Sequence, residues 1–315
     1  MELSIVVPVK NEKESVEAFI KETTPFCDQV SSQYEIIFVD DGSTDGTLDA
    51  LLGLHSENPR LKIVSLSRNF GKEKALTAGL DHAKGDAVIP MDVDLQDPPE
   101  LIPTLYKKYQ EGFDTVIAIR RARHGDKKTK KIFAKLFYNV LKHLSEAQIQ
   151  ENAGDFRLIS KRVLKVIQGM NERTRFMKGI MSWPGFSIAT VNYDRPERLH
   201  GETKWRLSNL WKLALDGIFS FSTRPLKIWT YIGFLFAATS IVFMLYTVTK
   251  TIVLGVDVPG YASLMSVVLF IGGINLMGIG IVGEYISRIF VEVKARPLYV
   301  INKVYEHVNK ENTGD

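Results

Sequence analysis

The chain has 315 residues, 40 Lys and Arg against 36 Asp and Glu, a formal net charge of +4 and 45% hydrophobic residues. That composition excludes a disordered chain; the single cysteine, Cys27, excludes an intrachain disulfide framework and suits a reducing compartment. The charge is segregated in a way that a uniform soluble globule does not show: residues 1–119 carry 11 basic and 21 acidic side chains, the remainder 29 and 15, and Ile228–Phe290 holds only Lys250, Asp257, Glu284 and Arg288.

The first strand-like run, Leu3–Val9, begins almost at the N-terminus, so no secretory leader is expected. Further short, apolar, β-branched runs follow at Glu35–Val39, Leu61–Leu66, Asp86–Met91 and Thr115–Ile119. Helical patterns lie between them at Lys13–Thr24, Thr44–Ser56, Lys72–Ala83 and Pro99–Glu111. This alternation predicts a doubly wound α/β sheet, which binds ligands at the carboxyl ends of its strands. Polar clusters sit at those ends: Lys10-Asn11-Glu12, Asp40-Asp41-Gly42-Ser43, and Asp92-Val93-Asp94-Leu95-Gln96-Asp97. No G-x-G-x-x-G follows the first strand and no P-loop motif occurs, which disfavours dinucleotide and P-loop chemistry.

Asp92 and Asp94 are the sharpest chemical feature. Two carboxylates at i and i+2 leaving a buried strand can reach one hard cation, and with diphosphate oxygens they suit Mg²⁺ or Mn²⁺. With Asp40 and Asp41 they put four carboxylates at one sheet edge, an arrangement expected to be costly without a cation.

After the fifth strand the charge reverses. Arg120–Lys135 contains eight basic residues and one Asp. Arg120, Arg121 and Arg123 start near the same sheet edge and are candidates to clamp a phosphate. Ile132, Phe133, Leu136, Phe137, Val140, Leu141 and Leu144 then describe a basic amphipathic helix suited to an anionic membrane surface. A nucleic-acid patch is disfavoured because aromatic side chains are not interleaved with the basic ones. Leu207–Phe221 is a second juxtamembrane candidate.

Ile228–Val248 and Leu264–Gly283 are uncharged runs of 21 and 20 residues, each long enough as helix to cross about 30 Å of hydrocarbon. They predict a transmembrane helical hairpin. Arg224 and Lys227 before it, and Arg288, Lys294, Arg296 and Lys303 after it, place both termini and residues 1–227 in the cytoplasm by the positive-inside rule. Gly273 and Gly280 share one face of the second span, which makes self-association into a homo-oligomer expected. The organisation expected is a catalytic domain over 1–205, a juxtamembrane segment over 206–227, two spans over 228–290 and a cytoplasmic tail over 291–315.

Several motifs together carry a resemblance: Ser4-Ile-Val-Val-Pro-Val-Lys-Asn-Glu12, Ile37-Phe-Val-Asp-Asp-Gly-Ser-Thr-Asp45, Arg68-Asn-Phe-Gly71, Asp92-Val-Asp-Leu-Gln-Asp-Pro-Pro99, Gly154-Asp-Phe-Arg157 and His200-Gly-Glu-Thr-Lys-Trp205. The chain resembles family 2 glycosyltransferases. With its hairpin it resembles the polyprenyl-phosphate branch, which includes dolichol-phosphate mannose synthases and bacterial undecaprenyl-phosphate glucosyltransferases. The processive-synthase motif Q-x-x-R-W is absent.

The resemblance implies a GT-A fold and an inverting transfer of a sugar, with UDP-glucose as expected donor, to polyprenyl phosphate at the bacterial inner membrane, for cell-envelope glycans such as O-antigen. GDP-mannose, UDP-N-acetylglucosamine and a modified arabinose are the other donors considered. A non-catalytic sugar-nucleotide scaffold and a lipid flippase are the competing classes; Asp94, Gln96, Asp155 and Arg120 together speak against the scaffold. By the same resemblance Pro8, Lys10, Glu12 and Asp40 line the nucleoside pocket beside Asp41. Asp92, Asp94 and Gln96 hold metal and diphosphate, with Val93 where the family most often has Ala. Asp155 is the catalytic base or positioning group, assisted by Asp94. Arg198 and Lys204 serve the donor, and Thr203 joins Arg120, Arg121 and Arg123 at the acceptor phosphate.

Overall fold

In the computed structural model, residues 1–121, 153–194, 224–254 and 260–307 are described. The β-branched runs form β1 (Leu3–Val9), β2 (Tyr34–Asp40), β3 (Leu61–Leu66) and β4 (Ala87–Pro90). β1 pairs in parallel with both β2 and β4, and β2 with β3. Every residue of β2, β3 and β4 is buried, as continuous apolar runs require when both faces of a sheet are covered. α1 (Ser15–Val30), α2 (Thr47–Glu57) and α4 (Ile102–Gln110) pack one face through Phe19, Leu51, Ile102 and Leu105. α3 (Lys72–His82) packs the other through Ala75, Leu76 and Ala78. Gly79 lets α3 lie directly on Val6, since a Cβ there would overlap that side chain. Phe19 meets Phe38 edge to face at 5.9 Å, and burying such a ring contributes about 1.5–3 kcal/mol.

The remaining strands are β5 (Thr115–Arg120), β6 (Ala153–Ser160), β7 (Ile188–Tyr193) and β8 (Ile301–Tyr305), with helices α5 (Lys161–Gly169) and α6 (Met177–Ser182) between β6 and β7. Among the described residues they complete an eight-stranded sheet in the order β7-β5-β6-β4-β1-β2-β3-β8. β6 is inserted antiparallel between β4 and β5, so it begins at the edge where its neighbours end. Its register pairs Val88 with Ile159 and Ala87 with Ser160, so β6 starts, with Asp155 in its first residues, at the end of β4 from which the Asp92 loop leaves.

Three expectations shift. The first helix does not stop at Thr24 but runs through Pro25 to Val30, because Cys27 continues the buried stripe begun by Val16 and Phe19. The second starts at Thr47 rather than Thr44: Gly46, at φ +86°, is the residue that enters it, and Asp45 Oδ1 just before accepts from Thr47 N at 3.0 Å. The tail after the hairpin returns to the sheet as β8, antiparallel to β3 with Val64 opposite Val304. Glu306 there pairs with Lys62 at 3.2 Å and with Lys84, and His307 stacks on His55 at 4.2 Å.

α7 (Arg224–Leu254) and α8 (Tyr261–Lys294) form the hairpin, and Leu226–Phe243 and Phe270–Lys294 are apolar and long enough to cross a membrane. Most of their described apolar side chains face outward, among them Phe234 at 76% and Val293 at 77% exposure. The helices touch where Phe236 meets Phe270 at 6.0 Å and where Trp229 lies over Gly278. Gly273 and Gly280 face open space. Arg288 Nε donates to Glu284 Oε1 at 3.0 Å. At the end of α8, Glu292 Oε1 accepts from Arg173 N at 2.7 Å, tying the hairpin to the loop before α6. The amphipathic stretches expected over 132–144 and 207–221 lie outside the described residues.

Candidate active site

A cavity of about 370 Å³ opens at the carboxyl edge between β1 and β4, where the strand order reverses direction. Pro8, Val9, Lys10, Glu12, Asp41, Lys72, Asp92, Val93 and Asp94 line it. The loops after β1 and β2 are stitched together by polar groups. Asn11, at φ +54°, donates its N–H to Ser43 Oγ at 3.0 Å and accepts from Thr44 N at 2.8 Å. Glu12 N donates to Thr47 Oγ1 at 3.0 Å. Gly42, at φ +65°, is required because a Cβ there would come within 2.7 Å of the Arg68 and Asn69 backbone.

The acidic loop after β4 is fixed from beneath. Asp97, buried, accepts from Asp92 N at 3.5 Å and from Tyr193 Oη at 3.2 Å, and Arg120 Nε reaches the same hydroxyl at 3.1 Å. Burial and then the nearby Asp92 push the Asp97 carboxyl up to about 6. Leu95 sits at φ +55°, a left-handed conformation that costs a branched residue on the order of 1–2 kcal/mol and persists because Gln96 N is tied to Asp94 Oδ1 at 3.2 Å.

Lys72, the first residue of α3, reaches Asp92 Oδ1 at 2.6 Å and Asp155 Oδ2 at 3.2 Å. Burial opposes its charge, but Asp92 and Asp155 outweigh it and hold the ammonium above its ordinary value. Burial likewise opposes ionisation of Asp155, and Lys72, Lys178 and Arg157 outweigh it, so that carboxyl stays below its ordinary value. Asp155 Oδ1 is buried without a hydrogen-bond partner among the described residues. Arg157 is 1% exposed and donates from Nη2 to Gly154 O at 2.9 Å, while its Nε and Nη1 find no partner there. Glu73, beside Lys72, is pushed up to about 7 by burial and by Asp155, and its Oε2 accepts from Met177 N at 3.0 Å. Gly154 leaves space for Arg120, whose Nη2 would lie 3.1 Å from a Cβ there.

The structure thus brings together Pro8, Lys10, Glu12, Asp41, Asp92, Val93, Asp94 and Asp155, with Arg120 behind them. Asp40 and Gln96 are buried and are not among the residues that line the cavity. Arg121 points outward and pairs with Asp194 at 3.5 Å. Arg123, Arg198, Thr203 and Lys204 lie outside the described residues. Lys72, Glu73, Arg157 and Lys178 were not singled out from sequence.

The expected repulsion among four carboxylates is also corrected. Asp40 accepts from Ser43 N at 3.1 Å, Asp41 from Phe70 N at 2.6 Å and Gly71 N at 2.9 Å, and Asp92 is paired with Lys72. Internal donors satisfy this edge. Among the described residues no three Asp, Glu, His or Cys side chains converge on a metal position. The donor set still fits a hard cation: two carboxylates facing the cavity, and a buried Gln96 Oε1 without a hydrogen-bond partner among the described residues.

Residues 4–168 match the family model described as glycosyl transferase family 2. The chain belongs to that family. Residues 224–289 of this glycosyltransferase match the GtrB C-terminal hairpin, so α7 and α8 form a membrane-associated hairpin. An uncharacterized glycosyltransferase of Synechocystis is 50% identical, covering 97% of this chain and 96% of its own. A prophage bactoprenol glucosyl transferase homolog of Escherichia coli is 48% identical over 96% of this chain and 99% of its own. The bactoprenol glucosyl transferase of Shigella phage SfII is 48% identical over 96% and 98%. The mixed α/β sheet is the GT-A-like arrangement expected from the sequence.

Proposed function

We propose that this glycosyltransferase moves glucose from UDP-glucose to undecaprenyl phosphate, with inversion, giving a β-linked polyprenyl-phosphate sugar. The observation that carries this is one ammonium, Lys72, touching both Asp92 of the donor loop and Asp155 at the start of β6. Asp92, assigned to the donor, and Asp155, assigned to the acceptor, are held within reach of one ammonium, near Arg157 and Lys178 and with Arg120 beyond them. The donor and lipid are supported by relatives at 48% identity that are named bactoprenol glucosyl transferases. An amphiphilic acceptor is supported by the outward apolar hairpin.

Asp92, Asp94 and Gln96 would hold Mg²⁺ or Mn²⁺, which when bound neutralises the diphosphate leaving group. Lys10 and Glu12, which line the cavity, would contact the nucleoside of the donor. Phosphate monoesters ionise with a second pKa of about 6, so the acceptor oxygen carries charge at neutral pH and needs little proton removal. Asp155, held below its ordinary value, is a weak proton acceptor, so its role is to position the acceptor. Arg120, anchored on Tyr193, presents a guanidinium for the acceptor phosphate. The basic flanks Lys227, Arg288, Lys294 and Arg296 support a cytoplasmic catalytic domain on the bacterial inner membrane. The open glycines 273 and 280 support a homo-oligomer.

A panel of nucleotide sugars, each offered with undecaprenyl phosphate to the detergent-purified chain, tests the donor. Labelled glucose entering the lipid fraction from UDP-glucose at least tenfold faster than any other sugar is the expected result. A preference for GDP-mannose, UDP-N-acetylglucosamine or an arabinose donor would reassign the substrate. Donor binding without transfer to lipid would make the chain a scaffold.

A further inference from the structure

Lys72 has no obvious reason to carry charge at its position. It opens α3 directly after Gly71, which turns the chain at φ +99°, and a cation in the first turn of a helix opposes the helix dipole. Its side chain lines the cavity, where burial opposes its charge. It nevertheless sits 2.6 Å from Asp92 Oδ1 and 3.2 Å from Asp155 Oδ2. Between two carboxylates that both lie within its reach, an ammonium removes a like-charge repulsion. The same geometry has a second consequence. An ammonium held at this distance repels a divalent cation brought to the same carboxylate, so the two cations compete for Asp92.

We propose that Lys72 is an internal counter-ion that occupies the divalent cation's place on Asp92 in the donor-free enzyme, and that it yields Asp92 when cation and nucleoside diphosphate arrive together. This rests on the assignment of Asp92 as a cation ligand. Lys72 then remains on Asp155, which its ammonium already touches, and keeps that carboxylate oriented. Cation binding is thereby made conditional on the nucleotide, whose phosphates supply the further oxygens that the described residues do not gather. Lys72 is a positioning residue here, acting through Asp92 and Asp155.

Binding of Mn²⁺ to the full-length protein in detergent, followed by the electron paramagnetic resonance signal of the free ion, tests this without relying on turnover. In the absence of nucleotide, Lys72→Met should bind Mn²⁺ about tenfold more tightly than the parent, and Lys72→Arg should stay within about twofold. With UDP present, the Lys72→Met advantage should shrink below about threefold. An unchanged or weaker nucleotide-free affinity in Lys72→Met would overturn the inference, as would an equal gain with and without UDP. Asp92→Asn separates the underlying assignment: if it leaves Mn²⁺ binding with UDP unchanged, Asp92 is not a cation ligand. If Asp92→Asn weakens binding and Lys72→Met does nothing, only the lysine inference fails. The melting temperature of each variant verifies that it is folded.

Discussion

The carboxyl edge of the sheet and the helical hairpin solve opposite problems. At the edge, charges crowd together and are matched by internal partners: Asp41 by two backbone N–H groups, Asp92 and Asp155 by Lys72, Asp97 by Tyr193. Along the hairpin charge is almost absent, the pair Glu284–Arg288 stands near its end, and apolar side chains such as Phe234 and Leu276 face outward. Order at the edge comes from satisfying buried polar groups, each costly if left unpaired. Order in the hairpin comes from backbone hydrogen bonding and a few side-chain contacts, with the surrounding apolar medium as solvent. Substitutions of the cavity-facing carboxylates should therefore act mainly on chemistry, and overpacking at the contact between the two helices mainly on stability.

The largest effect should follow Asp94→Ala. It removes a cavity-facing carboxylate whose oxygen also braces Gln96 N, and transfer should fall about a thousandfold while the melting temperature moves little. Loss of the fold instead would merge the two regions and break the comparison. Next is Asp155→Asn. Turnover should drop about a hundredfold, as for a misplaced reactant, with donor affinity unchanged in equilibrium UDP-glucose binding. Gly278→Leu should act in the opposite sense. Trp229 already fills the space over Gly278, so overpacking should destabilise the hairpin by about 1–3 kcal/mol, read as a lower melting temperature, with nucleotide binding retained.

Glu73→Gln sharpens the edge further. Asp155, Lys72, Lys178 and Met177 N surround Glu73, and burial raises its carboxyl to about 7. A raised acid is destabilising once ionised: the unfolded carboxyl loses its proton near its ordinary value, the folded one only near 7, so stability declines between those two points. Glu73→Gln should accordingly melt higher than the parent at pH 8, by the equivalent of about 1–3 kcal/mol, with the gain gone below about pH 4.5. A constant gain at all pH values would show that packing, not charge, is responsible. The smallest effect should be Glu284→Gln, under about 1 kcal/mol, because this partly exposed ion pair is a single i,i+4 contact.

Much of this was legible in the residues. The five parallel strands followed from apolar β-branched runs, and the donor loops from the polar clusters that end them. Asp155 was legible as a motif but not its location, because an antiparallel strand inserted between β4 and β5 depends on pairing between residues some seventy apart. β8 was missed for the same reason: its partner β3 lies more than two hundred residues away. Lys72 looked like an ordinary helix lysine. The signal that would have found it was a cation placed in a helix's first turn, behind glycine and beside an acidic neighbour, where the dipole disfavours it unless carboxylates are waiting. Asp41 misled in the other direction, since its usefulness lies in holding the Phe70–Gly71 backbone as well as in facing the cavity.

The most direct measurement is transfer of labelled glucose from UDP-glucose into undecaprenyl phosphate by the purified full-length protein, with and without a chelator, beside Asp94→Ala. We predict a labelled lipid that forms only with Mg²⁺ or Mn²⁺ present and is nearly absent in the variant. Equal labelling in chelator, or full activity in Asp94→Ala, would contradict the assignment of the carboxyl edge as a cation-dependent donor site.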